Sequence, residues 1–472
     1  MTFTSILKIA DDMVWGIPLI VLILFVGLFL TIRLRGLQIK RLSLAVHNLS
    51  ANEGEGENGE ISGFGALCTA LSATIGTGNI VGVATALTAG GPGALFWMVA
   101  AAVLGTVTKY AECLLAVKYR VREKDGHIVG GPFYYIERGM GKNFKWLGKL
   151  FAFFGLGAGL LGIGTFTQIN GITTAVNDFF DSENQWTVEL FGRDYSWTVV
   201  IAGVILTICA ALVIIGGLKR ISGVAQVLVP FMAAVYIVSV LLILIFHAER
   251  IPEAVTLIFQ DAFGLRAAAG GAAGSVMVTI QKGVARGIFS NEAGLGSAPI
   301  AAAAVQTEEP AAQGLVSMLG TVIDTVIICT MTGLAIVITG TWNMGLEGVN
   351  VTTKTFQLGL PFEPAVSSFL LLFSLVCFAF TTILGWNYYS EKCLEYLTGG
   401  SKRALKIYRR LYIFCIFIGP FMTVSQVWTI ADIFNGLMAV PNLIAILALN
   451  GVVVRETKKY LQKVDACNEI SP

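Results

Sequence analysis

The sequence predicts an all-α polytopic membrane protein. About eleven transmembrane helices are expected, built as a 5+5 inverted repeat with one extra N-terminal helix. Three observations predict this. Of 472 residues, 55% are hydrophobic and 13% charged, about half the charged share of ordinary soluble domains, near 25%. The charges are also excluded from nine runs of 20 or more residues (13–32, 61–108, 150–177, 195–218, 221–248, 325–346, 364–390, 411–431 and 433–454), and about 20 apolar residues span a bilayer core as helix. Finally, two Gly-x-Gly motifs, Gly76-Thr77-Gly78 and Gly294-Leu295-Gly296, recur 218 residues apart.

The first run gives a span over 14–32; no small-residue cleavage site follows it, which argues against a cleavable signal. The 48-residue run 61–108 is too long for one helix and turns at Ala89-Gly90-Gly91-Pro92-Gly93, giving spans 62–89 and 94–118. Further spans follow at 148–173, 196–217 and 222–247. A span over 272–305 is obscured by Lys282, Arg286 and Glu292, and one over 312–340 contains Asp324. The last three lie at 365–397, 408–425 and 428–454. Lys and Arg collect after the first, third, fifth, ninth and last spans, as in Arg33-Leu-Arg35 and Lys402-Arg403. The positive-inside rule then places the N-terminus outside and the C-terminus in the cytoplasm of a plasma or inner membrane. The acidic 306–311 loop is a small misfit.

The 218-residue offset maps Pro92 onto Pro310, Gln168 onto Trp386, and span 148–173 onto 366–391. Each unit holds five spans, an odd number, so the second unit enters the membrane from the opposite face. The expected organisation is an N-terminal helix and acidic linker (1–61), a first repeat (62–247), an extracellular connection (248–271), a second repeat (272–454) and a cytoplasmic tail (455–472). The linker Asn52-Glu-Gly-Glu-Gly-Glu-Asn-Gly-Glu60 is a solvated acidic stretch.

Small residues at a Gly-x-Gly can simply let helices approach closely. Two such sites at symmetry-related positions, both with polar neighbours, point instead to helix breaks at a binding site. A break frees N–H and C=O groups that lipid cannot satisfy, and a cation or a zwitterion can. The net charge of +2 excludes a nucleic-acid partner. No nucleophile, base or metal set converges within the spans, so an enzyme is not expected. Neither an organic cofactor nor an obligate protein partner is implied; the expected partners are the bilayer, a cation and a small solute. Six of eight cysteines fall in hydrophobic runs, and no pair or Cys/His cluster has metal-ligand spacing.

Five motifs carry a family resemblance: Ser72-Ala-Thr-Ile-Gly-Thr-Gly-Asn79, Gly90-Gly-Pro-Gly-Ala-Leu-Phe-Trp97, Gly130-Gly-Pro-Phe-Tyr-Tyr135, Arg286-Gly-Ile-Phe-Ser-Asn-Glu-Ala-Gly294 and Leu384-Gly-Trp-Asn-Tyr-Tyr389. Together they resemble the alanine or glycine:cation symporter family, also called sodium:alanine symporters. The resemblance implies sodium-coupled import of small neutral amino acids on a leucine-transporter-type fold.

It also implies site residues. One Na⁺ would sit between the carbonyls of Ser72 and Ile75 and the hydroxyls of Thr381 and Thr382, although adjacent threonines can also bond back to their own helix. A second would use the Thr74 carbonyl, Asn79 and Ser290. The backbone at Thr77, Gly78 and Asn79 starts a half-helix that would take the substrate carboxylate, and carbonyls from Phe289 to Asn291 would take its ammonium. Gln168 and Trp386 would face this cavity from symmetric positions, the indole limiting it to small side chains, with Phe289 as a lid. Gln168 as interhelical glue and Phe289 as core packing are the alternatives. Lys109 and Glu112 fit a structural pair. Glu292 and Arg286 fit either a gate or a brace, and Asp324 has no assigned place. None of the histidines at 47, 127 and 247 suits a buried relay, which favours Na⁺ over H⁺. The rivals are a proton-coupled carrier and a channel.

Overall fold

The computed structural model describes residues 3–51, 59–123, 126–190, 193–264, 272–422 and 424–470. The expected acidic linker therefore lies largely outside the described residues, as does the end of the 248–271 connection. Among the described residues, eight helical stretches are long and apolar enough to cross a membrane, counting Lys142–Phe180 as one, or nine if the bent pair Gly63–Thr74 and Gly78–Gly90 counts as one span. Two of the eleven expected spans fall short of that test. Ala272–Asn291 carries Lys282 and Arg286 and is too polar, and Lys402–Ile418 has only 17 residues before a 3₁₀ turn at Gly419–Phe421.

Both expected breaks are present. Helix Gly63–Thr74 starts on a Ser62 cap, whose Oγ accepts from the Gly65 amide, and stops at Ile75, which is extended. The chain resumes as a π turn at Gly78–Gly82 and the helix Val83–Gly90, bent by 52° from the first half. The second helix, Ala272–Asn291, stops where Glu292 (φ 55°), Gly294 (φ 87°) and Gly296 (φ 82°) enter the left-handed region, and resumes at Ala298–Ala302. Glycine adopts that region freely, whereas a glutamate there costs roughly 1–3 kcal/mol and needs its surroundings to hold it.

The two broken helices run antiparallel. Ile61, before the first, bridges Val305, beyond the second, with the Glu60 amide donating to the Ala304 carbonyl (2.8 Å) and the Gln306 amide to that of Ile61 (2.8 Å). At the opposite end Thr279 Oγ1 donates to the Gly90 carbonyl (2.6 Å).

A third break is new. The expected continuous span 148–173 is two helices, Lys145–Leu161 and Phe166–Phe180. The interruption follows from close packing. A Cβ at Gly164 would lie 2.7 Å from Trp386 Cβ, and Tyr412 Oη donates to the Gly164 carbonyl at 2.6 Å, satisfying a group that the break frees. The span around 312–340 contains a π-helical stretch, Val322–Cys329, between Pro310–Thr321 and Thr330–Thr339. Such stretches are frequent at functional sites. The helix Pro364–Thr398 runs unbroken beside the first broken helix.

Near the Ile61–Val305 bridge, Arg120 donates to the carbonyls of Val305 (2.6 Å) and Thr307 (2.5 Å). Beside it, His127 Nδ1 lies 2.6 Å from Glu60 Oε1, and Nε2 lies 3.4 Å from Glu395 Oε1. Hydrogen bonding to Glu395 and then Glu60 pushes His127 up from 6.5 to about 9, against burial and the Lys392 ammonium. Stability from a raised histidine is fully present below its unfolded pKa and is lost as pH rises through the folded one. The melting temperature of the purified protein should therefore fall between pH 6.5 and 9, and His127→Gln should flatten that fall. An equal fall in the variant would remove the histidine as its source.

Candidate functional site

The breaks meet in the middle of the molecule. A Cβ on Gly78 would lie 3.3 Å from Ser290 Cα and 3.6 Å from Phe289 Cδ1, so the two interrupted backbones are in contact. Asn79 closes the first break, its Oδ1 accepting from the Gly76 amide at 2.9 Å. Its Nδ2 donates to Asp324 Oδ1 (2.8 Å), and Ser290 Oγ donates to Asp324 Oδ2 (2.8 Å), as does Thr325 Oγ1 (2.6 Å). Asp324, fully buried in the π-helical stretch, thus gathers both breaks onto one carboxylate. Asn291 Nδ2 donates to Thr325 Oγ1 (3.1 Å) and its Oδ1 accepts from the Ala293 amide (2.9 Å), so this side chain caps the second break.

Around the first break, Thr382 Oγ1 donates to the Ile75 carbonyl at 3.4 Å and to the Phe378 carbonyl at 3.0 Å. Thr381 Oγ1 also donates to Phe378, at 2.9 Å, and faces Met232 Sδ. Both hydroxyls thus bond back to their own helix, which uses their hydrogens and leaves oxygen lone pairs to accept. Ser72 lies on the same side: a Cβ on Gly385 would come 2.8 Å from Ser72 Oγ. Ser72 Oγ and Thr74 Oγ1 spend their own hydrogens on carbonyls of the preceding turn.

Two buried polar atoms here have no hydrogen-bond partner, Thr77 Oγ1 and Gln168 Oε1. Gln168 Oε1 would be 3.6 Å from a Cβ on Gly76, and Thr77 Cγ2 3.2 Å from one on Gly171. Thr77 also lines a pocket of about 670 Å³ with Asn170, Gly171, Arg286 and Glu347. Orphaned buried polar atoms are what a polar ligand would satisfy. The guanidinium of Arg286 lies 5.5 Å from the Phe289 ring centre and 3.2 Å from Asp432 Oδ2, so Arg286 pairs with the helix Val424–Ala448 and not with Glu292.

Trp386 meets the second break through its indole nitrogen. It is fully buried, and its Nε1 donates to Glu292 Oε1 at 2.8 Å, while Ser297 Oγ donates to the other oxygen of Glu292. Glu292 is therefore held in its left-handed conformation from both sides, the brace of the two roles its position allowed. Lys109 and Glu112 are both buried, yet form no ion pair; Glu112 Oε2 accepts from Asn442 Nδ2 (2.9 Å), which also donates to the Gly294 carbonyl (2.8 Å).

Sequence reasoning missed Asp324, Thr325 and Asn442 as parts of this site. The usable signal for Asp324 was that it is the sole acid within its expected span, and such residues in membranes are functional by default.

Interrupted antiparallel helices meeting at a buried polar centre define a membrane carrier of the leucine-transporter type. The chain belongs to the sodium:alanine symporter family, whose model matches residues 1–471. It is 52% identical to an uncharacterised transporter of Haemophilus influenzae over 98% of this chain and 97% of that one. It is 44% identical to the sodium/alanine symporter AgcS of Methanococcus maripaludis, over 99% and 100% of the two chains. Its backbone matches the crystal structure of MhsT in complex with L-phenylalanine with a TM-score of 0.59 at 15% identity, covering 85% of this chain and 93% of that one. The protein is thus a multi-pass membrane transporter, an amino-acid:cation symporter by family.

Proposed function

We propose that this chain is a sodium-coupled symporter that imports alanine, glycine or a similarly small neutral amino acid by alternating access. Eleven spans in a 5+5 inverted repeat, with the N-terminus outside and the C-terminus cytoplasmic, complete the reading. The antiparallel course of the two broken helices supports it.

The observation that carries the reading is the single Asp324 carboxylate shared by Asn79 and Ser290 where the breaks touch. One negative charge balances one monovalent cation in a dry core, whereas a divalent ion would leave an uncompensated charge. Asp324 joins Thr74, Asn79 and Ser290 as one Na⁺ position. Ser72, Ile75, Thr381 and Thr382 form the other, through carbonyls and hydroxyl lone pairs. The amino acid lies between Thr77, Gly78 and Asn79 on one side and Phe289, Ser290 and Asn291 on the other, with Gln168 Oε1 within reach. Trp386, as a wall of this pocket, limits the side chain to a small one and also fixes the second break through Glu292.

Purified protein in liposomes should accumulate labelled alanine or glycine when an inward Na⁺ gradient is imposed. No accumulation would overturn the reading, and accumulation driven by a pH gradient with choline in place of Na⁺ would make it a proton-coupled carrier. Thr381→Ala with Thr382→Ala should raise the Na⁺ concentration for half-maximal uptake by at least about tenfold, equivalent to ~1.4 kcal/mol. An unchanged Na⁺ requirement would remove both hydroxyls from the ion site.

A further inference from the structure

The helix Lys402–Ile418 begins with Ser401 Oγ accepting from the Ala404 amide, and its first three turns carry Lys402, Arg403, Lys406, Arg409 and Arg410 without one acid. Cations at a helix N-terminus face the positive end of its dipole, so this placement is electrostatically uphill unless an anion joins them. Lys402, Lys406 and Arg410, spaced at i, i+4 and i+8, share one helix face. They line a groove of about 470 Å³ together with Arg409, Ile215, Leu405 and Ile413.

Arg409 is already committed, with its Nε and Nη2 each 2.7 Å from an oxygen of Glu391. Lys402, Lys406 and Arg410 form no ion pair with any described residue. The apolar walls continue into an exposed belt, Ile208 and Leu212 on the helix Trp197–Ile214 with Ile215 just past its end, and Leu411, Phe414 and Phe417 on the helix Lys402–Ile418. A cationic mouth above an apolar trough matches an amphiphilic anion. A free inorganic anion would use the mouth alone.

We propose that this groove binds an anionic phospholipid, its phosphate held by Lys402, Lys406 and Arg410 and an acyl chain laid along Ile215 and Ile413. Basic residues at a membrane surface each contribute about 1 kcal/mol toward anionic lipid. Removing three should weaken binding by at least about tenfold.

Thermal unfolding of the full-length protein in detergent is measured with added phosphatidylglycerol, phosphatidylcholine or inorganic phosphate. Phosphatidylglycerol should raise the melting temperature of the wild type and of the charge-matched control Lys149→Gln/Arg455→Gln/Lys458→Gln. The variant Lys402→Gln/Lys406→Gln/Arg410→Gln should need at least about tenfold more lipid for the same rise. Should that variant fail to fold, Lys406→Gln alone reports the same shift at smaller amplitude. An equal response in the groove variant would overturn the proposal, as would an equal rise with phosphatidylcholine, which means apolar filling only. A rise reproduced in full by inorganic phosphate would also overturn it, by showing a site for the free anion.

Discussion

Asp324→Asn should abolish concentrative uptake at ordinary Na⁺ levels while leaving a folded protein. The carboxylate receives hydrogen bonds from Asn79 Nδ2, Ser290 Oγ and Thr325 Oγ1, and no described cation lies within ion-pair distance of it. Asparagine keeps the volume but removes the charge, and its own amide hydrogens then oppose groups that donate now. Hydrogen bonds to charged groups contribute roughly 1.5–3 kcal/mol each. Losing the charge opposite a bound cation in a low-dielectric core should therefore raise the Na⁺ requirement at least about 30-fold, or ~2 kcal/mol. Na⁺-dependent binding of labelled alanine to purified protein separates this from a defect in the transport cycle. Wild-type Na⁺ dependence in Asp324→Asn would remove the carboxylate from the ion site and leave it a structural clasp between the breaks.

Gly76→Ala should be nearly as damaging, for a steric reason. The added Cβ would lie 2.5 Å from Thr382 Oγ1, closer than real carbon–oxygen contacts, so either the first break or the threonine must move. Overpacking of this kind costs typically 1–3 kcal/mol. Here the displaced atom is also a proposed Na⁺ ligand, so uptake should fall at least about tenfold while melting temperature drops by several degrees. Gly223→Ala is the internal control. That position is exposed inside the helix Gly217–Phe246 with open space around its Cβ, so alanine there should keep transport and stabilise by about 0.4–1 kcal/mol. Equal transport by the two variants would show that crowding at Thr382 is irrelevant to the ion.

Much of the fold was legible in the sequence because its signals are local. Exclusion of Asp, Glu, Lys and Arg reports a residue's solvent, and it located the apolar spans without reference to any partner. The Gly-x-Gly motifs report backbone conformation, and both breaks fall where they stand. The third break was less legible, although Gly162 and Gly164 also form a Gly-x-Gly. The 218-residue offset placed Phe380 and Thr382, not a second glycine pair, opposite it. Spacing along one helix placed Trp386 beside the cavity, and it says nothing of what the indole nitrogen bonds. Its partner, Glu292, lies 94 residues away.

The sequence alone determined that this is a membrane protein with two interrupted helices, and its motifs carried the family. Those properties depend on hydropathy and on dihedral preferences, which each short stretch expresses by itself. Only the tertiary structure decided that Asp324 joins Asn79 to Ser290, that Glu292 is braced by Trp386, and that Arg286 pairs with Asp432. Each of these contacts links helices far apart in the chain. Which polar group meets which is set by how whole helices pack, and no local pattern encodes that.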